Sequence, residues 1–163
     1  MHGSTRRTFL KSSAAIAGAA TFAAPAIAQS TKSANERIRV ALVGLGGRMS
    51  GHIGSLAAIA QSDNVEIAAI CDCDQGKLDS AAKRYPPLAG LKLTTYTEQR
   101  KLLDDKSIDA VSFSTQDHWH ALQTIWACQA GKDVYVEKPP TWCVWEGRKM
   151  VEAARKYKRM VQI

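Results

Sequence analysis

Between residues 38 and 163, short apolar runs take turns with segments whose apolar residues recur at helical spacing, and that alternation constrains the fold more than any single residue does. Residues 38–43, 65–71, 91–96, 110–114, 134–137 and 160–163 read as strands. Between them lie five helices: 51–61, the stretch after Asp74, the stretch after Thr97 containing Leu102 and Leu103, the stretch after Asp117, and 145–158. Strands joined through helices run parallel by right-handed crossovers, so the prediction is an α/β, doubly wound parallel sheet of about six strands. Ile53, Leu56, Ala57 and Ala60 fall on one face of the first helix, and Leu78, Ala81, Ala82 and Tyr85 on one face of the second. Trp119, Leu122, Ile125 and Trp126 occupy core-facing intervals in the fourth. Asp74 and Thr97 stand where caps belong, Pro86 and Pro87 stop the second helix, and Gly131 ends the fourth in a left-handed turn.

Composition matters first for the amino terminus. The chain has 163 residues and a formal charge of +7, but Arg6, Arg7 and Lys11 are unmatched by any acid in the first 28; the remainder carries 19 basic against 15 acidic residues. That excess is too small and too scattered for a nucleic-acid surface, which needs clustered cations to displace counterions. A basic head, the Ala-rich stretch 12–28 and the exit Ala26-Ile27-Ala28 form a cleavable export signal. The stretch lacks a helical apolar stripe and is too short and Ala-rich to insert stably in a bilayer. Arg6-Arg7 with Phe9-Leu10-Lys11 resembles the twin-arginine signal, which implies the translocase as partner and folded export to the periplasm or beyond. The expected organisation is signal 1–28, linker 29–37 and one domain, 38–163.

Gly44-Leu45-Gly46-Gly47-Arg48-Met49 occupies the bend from the first strand into its helix. Gly44 permits the tight turn, Gly46 leaves room for a diphosphate to approach the main chain, and Gly47 adds backbone freedom. Free amides and the helix dipole attract the anion. The pattern wants a small residue where Met49 stands, and overpacking there costs about 1 to 3 kcal/mol unless the helix shifts. Asp72, at the end of the second strand, is placed to accept hydrogen bonds from a ribose diol. A 2′-phosphate would meet Asp72 and Asp74, with no Arg or Lys before Lys77. NAD is therefore favoured over NADP, Arg48 being the one residue that argues the other way.

Glu137-Lys138-Pro139 after the fifth strand, Ser114-Thr115-Gln116-Asp117-His118-Trp119-His120 after the fourth, and Trp145-Glu146-Gly147-Arg148 in the last helix resemble the glucose-fructose oxidoreductase, inositol dehydrogenase and MocA family. The resemblance covers the first of that family's two domains and lies nearest its secreted branch, whose members act on sugars and polyols. It implies that Thr115, Asp117 and His120 contact the cofactor near its nicotinamide ribose and that Glu137 accepts from ribose hydroxyls. It also implies that Lys138 reaches the ribose and the substrate hydroxyl, as the one catalytic residue of this domain. Gln116 stands in place of the usual Pro, Met49 in place of Gly, and Pro140-Thr141-Trp142-Cys143 in place of a polar stretch with His and Asn. The implied activity is NAD(P)-dependent hydride transfer with a sugar or polyol, completed by the absent second domain. Two alternatives stay open: an NAD-dependent glycoside hydrolase relative with no net redox change, and a non-catalytic nucleotide-binding domain.

No metal site is expected. Cys71 and Cys73 alternate across a strand end, Cys128 and Cys143 lack ligand spacing, and all four read as small hydrophobes. His52 falls on the first helix with no assigned role. The last strand's edge could pair with another chain, giving a homo-oligomer.

Overall fold

A computed structural model of the chain describes residues 36–163; the segment read as an export signal, and the linker up to Asn35, lie outside them. Among the described residues the order is β1 (Ile38–Val43), α1 (Met49–Ile59), β2 (Val65–Cys71), α2 (Gln75–Arg84), a 3-10 turn (Pro86–Leu88), β3 (Thr94–Tyr96), α3 (Gln99–Asp104), β4 (Ala110–Phe113), α4 (Asp117–Gln129), β5 (Asp133–Val136), α5 (Val144–Tyr157) and β6 (Val161–Gln162). The strands form one parallel sheet in the order β3-β2-β1-β4-β5-β6. This is the expected doubly wound fold. The chain builds outward from β1 to β3, then returns to lay β4 on the other side of β1. Loops leaving β1 and β4 therefore diverge, opening a crevice at the carboxyl ends of these strands.

Alternation along β1 divides the core between the two faces of the sheet. Val40 and Leu42 pack with Leu45, Met49, Ile53, Leu78 and Tyr85 beneath α1 and α2. Ala41 and Val43 pack with Phe113, Ala121, Ala127, Cys128 and Met150 beneath α4 and α5.

Several local expectations need correction. The fourth helix presents His120, Ala121, Gln123, Thr124, Ala127 and Cys128 inward, whereas Trp119 and Leu122 are 41% and 40% exposed. Small residues let α4 approach the sheet closely and Trp119 and Leu122 turn outward, while Ile125 and Trp126 are half-buried against the core as expected. The cap of α3 is Glu98, whose carboxylate accepts from the Arg100 amide, and not Thr97. Ala82 faces solvent, and β3 is only three residues long. Cys71 and Cys128 are buried, as small hydrophobes would be, but Cys73 and Cys143 are exposed; all four are free thiols. Among these residues no helix is long and apolar enough to cross a membrane.

Candidate functional site

The bend after β1 is held from beneath and open above. Gly44 has φ +86°, and a Cβ there would lie 2.7 Å from the Ser114 carbonyl oxygen and 2.8 Å from Thr115 Cγ2, so only glycine lets β1 and β4 close up. A Cβ on Gly46 or Gly47 would meet nothing within 4 Å. The Leu45 amide donates to Asp72 Oδ2 at 2.8 Å. The Tyr85 hydroxyl lies 2.9 Å from the Leu45 carbonyl oxygen and 2.7 Å from that of Gly46. Among the described residues the amides of Gly46, Gly47 and Arg48 have no protein acceptor, while Met49, Ser50 and Gly51 begin the helix by donating back to 46, 47 and 48. These are the orphan donors expected at a helix start.

Met49 does not crowd this opening. Its side chain is fully buried among Val40, Leu42, Leu45 and Ile53, under the helix and away from the bend. The expected overpacking is thereby avoided, because the thioether fills the layer between α1 and the sheet.

A cleft of about 290 Å³ lies beside the bend, walled by Gly44, Gly46, Asp72, Lys77, Thr115 and Gln123 among others. Asp72 is 6% exposed. Its Oδ2 also faces Lys77 Nζ at 3.4 Å, and its Oδ1 accepts the Asp74 amide at 3.0 Å. Asp74 in turn caps α2 through the Gly76 amide, as expected. The basic group next to Asp72 is thus Lys77; Arg48 points elsewhere. A larger cleft of about 530 Å³ sits beside the start of β2, where Arg37 pairs with Glu66 and the walls include Leu56, Ala57 and Pro87. Nothing there resembles a reactive group.

Arg48 and His52, four residues apart and so on one side of α1, converge on Glu137 after β5. Arg48 Nε and His52 Nε2 each lie 2.7 Å from Glu137 Oε1. The ionised carboxylate only accepts, so Nε2 carries the proton and Nδ1, 2.7 Å from Ser112 Oγ, accepts from the serine. Serine, histidine and carboxylate in a row suggest a nucleophile, but Ser112 is 3% exposed within β4 and can reach no substrate. The row is a brace for Glu137. The His52 bond first, then Arg48, outweighs burial and holds the Glu137 carboxyl down at about 2. A carboxyl with an ordinary value of 4.5 in the unfolded chain stabilises the fold above that pH and loses the contribution as pH falls toward 2. We expect about 3 kcal/mol of stability to disappear across that window. Glu137→Gln should flatten the corresponding acid limb in urea melts; an unchanged limb would contradict the brace.

The turns after β4 and β5 are joined by His120, 2% exposed, whose Nδ1 lies 2.8 Å from the Pro139 carbonyl oxygen and Nε2 3.1 Å from that of Thr115. Both partners are carbonyl oxygens, which only accept, so each bond needs a proton on the ring nitrogen that faces it. Its buried position makes it a staple between the turns. Thr115 donates to Gln123, and Gln123 to Gln99, along the cleft wall at 2.6 and 2.7 Å. Asp117 opens α4 at the surface, and the Trp142 indole beside it holds its carboxyl below the usual range. His118 stands edge-on to Trp142 at 6.4 Å. Lys138 is exposed, with its amide donating to Glu137 Oε2 at 3.3 Å.

The structure thus gathers Gly44, Gly46, Asp72 and Thr115 around one cleft, with Gly47 following in the bend. Arg48 and the Lys138 amide meet at Glu137, and His120 joins the turns after β4 and β5. Tyr85, His52, Lys77 and Gln123 are the members that sequence reasoning missed. The four-residue spacing of Arg48 and His52 was a usable signal; Tyr85 looked like an ordinary core residue.

A family model described as an oxidoreductase family with an NAD-binding Rossmann fold matches residues 38–163. A glycosyl hydrolase family 109 protein of Shewanella pealeana is 35% identical over 125 residues, covering 74% of this chain and 27% of that protein. Inositol 2-dehydrogenase of Salmonella typhimurium is 30% identical over 127 residues, covering 77% and 36%. Among solved structures, the WlbA dehydrogenase of Bordetella pertussis in complex with NADH and UDP-GlcNAcA superposes with a TM-score of 0.65 at 28% identity, over 77% of this chain and 34% of that one. The chain spans about a third of the length of such relatives. Sheet order, glycine bend and family model agree: this chain belongs to the Gfo/Idh/MocA oxidoreductase family, whose NAD-binding Rossmann fold occupies residues 38–163.

Proposed function

We propose that residues 38–163 bind a nicotinamide dinucleotide with its diphosphate over Gly46 and Gly47 and its adenosine ribose against Asp72. Its nicotinamide ribose would then lie among Thr115, Asp117, Glu137 and Lys138. The observation that carries this reading is the pair of unobstructed glycines whose amides, with that of Arg48, have no acceptor among the described residues. The bound cofactor supplies the hydride acceptor and donor, and the protein supplies position and field. Thr115 is held by Gln123, Glu137 by His52 and Arg48, and the two turns by His120. The exposed Lys138 ammonium is the group available to polarise a substrate oxygen or carry its proton.

The substrate class we infer is a sugar or polyol, acted on by the complete two-domain protein. Trp142, 68% exposed beside Asp117 and His118 and four residues after Lys138, adds a flat apolar surface suited to a pyranose ring. A second reading has support in the family 109 relative: the same hydride step, reversed within one turnover, would cleave a glycoside without net oxidation. Product analysis separates the two, since only the oxidoreductase consumes an external redox partner. Export by the twin-arginine route is part of the proposal, and Gln29 is then the first residue of the mature protein found by amino-terminal sequencing.

Asp72 favours the 2′-hydroxyl of NAD, but Lys77 offsets part of its charge. In fluorescence titrations NADH should bind more tightly than NADPH, and Lys77→Ala should widen the gap by roughly fivefold, as about 1 kcal/mol for an exposed charge contact implies. An unchanged ratio of the two affinities would remove Lys77 from cofactor choice.

A further inference from the structure

Tyr85 lies outside the glycine motif and the two turns, yet its side chain, like that of Asp72, bonds directly to the backbone of the bend. It follows α2 and is 5% exposed, with its ring in the core under α1 and its hydroxyl 2.9 Å from the Leu45 carbonyl oxygen and 2.7 Å from that of Gly46. A trans peptide sets its C=O and N–H on opposite sides. A Leu45 carbonyl turned toward Tyr85 therefore sends the Gly46 N–H away from it, and a Gly46 carbonyl turned the same way does likewise for Gly47. Those are the two glycines with open space above them.

We infer that Tyr85 is a positioning residue for the anion site: its hydroxyl draws two successive carbonyls inward so that the next two amides point at the diphosphate. One hydroxyl proton serves both carbonyls in turn or as a shared bond. Asp72 assists from the other side by fixing the Leu45 amide. Without the hydroxyl, the Leu45–Gly46 peptide plane can rotate and aim its carbonyl oxygen at the anion, replacing attraction by repulsion, while the Gly46 carbonyl is left with only the long Met49 amide bond of 3.3 Å. The inference rests on the dinucleotide reading above and assigns it a residue that the glycine pattern does not contain.

The test compares the full chain with Tyr85→Phe, which keeps the ring and loses only the hydroxyl, and with Tyr85→Leu, which loses both. Titration with NADH, ADP and adenosine, the last two by ligand-observed NMR, separates anion recognition from general loosening. Tyr85→Phe should weaken NADH and ADP by roughly tenfold, the equivalent of one net hydrogen bond, and leave adenosine nearly unchanged. Tyr85→Leu should in addition lower the melting temperature. Parent-like ADP affinity in Tyr85→Phe would overturn the inference, as would adenosine weakened by the same factor as ADP. If the parent binds NADH and only this selectivity is missing, the positioning role alone falls; if the parent binds none of the three, the nucleotide reading falls and takes it along.

Discussion

Gly44→Ala is expected to destabilise the domain by roughly 2 to 5 kcal/mol, from about 1 to 2 for a left-handed backbone at a residue with a Cβ and about 1 to 3 for overpacking. The added atom would press against the Ser114 carbonyl oxygen at 2.7 Å, which is backbone and cannot step aside as a side-chain tip would. To relieve it, β1 and β4 would have to part at the point where the crevice opens, so nucleotide binding should fail together with stability. Urea unfolding of Gly44→Ala beside Gly46→Ala checks this. The second variant meets open space and should unfold within about 0.5 kcal/mol of the parent, the range of an unencumbered surface change. Similar losses for both would contradict the close approach at Gly44.

Lys132→Met should cost a comparable amount, about 3 kcal/mol, with no direct effect on the cleft. Lys132 is 3% exposed, and its ammonium donates to the carbonyl oxygens of Asp105 and Ile108, each at 2.6 Å. Burial pulls its pKa down, and the nearby Asp105 and Asp109 work against that shift. Methionine fills similar volume but takes the donor from the Ile108 carbonyl and leaves that of Asp105 with only the Ile108 amide at 3.3 Å, so the loss is chiefly of hydrogen bonding to a charged group. Lys132 pins the segment before β4 to the start of β5, at the opposite end of the strands from Lys138. The two lysines thus separate fold from function: thermal unfolding should respond to Lys132, and nucleotide or substrate chemistry to Lys138. A Lys132→Met domain that melts with the parent would show that the pin carries no weight.

The sheet was legible because strands and helices leave different apolar periods, and the bend because glycine at 44 and 46 followed an apolar run. Periodicity misjudged α4, where the spacing of Trp119 and Leu122 points to the core. In fact Ala121, Ala127 and Cys128 form it, because close packing favoured small residues and let those two line the cleft or face outward. Met49 misled for a related reason: a residue type was judged against a motif position, while the direction of its side chain decides whether it blocks the bend. Contacts distant in sequence left no spacing to read. Tyr85 reaches back 40 residues to Leu45, and His52 reaches forward 85 to Glu137. Glu137 itself was expected to be open to ribose hydroxyls, and the structure places Arg48 and His52 on it first.

The most direct test is NADH fluorescence titration of the full chain against Gly46→Val. A Cβ on Gly46 meets nothing within 4 Å, and the proposed site sets the diphosphate there, so valine should fold with an unchanged melting temperature and bind NADH at least roughly thirtyfold more weakly, about 2 kcal/mol of lost contact. A parent that does not bind NADH, or a valine variant that binds it equally well, would mean that the diphosphate does not sit on this bend.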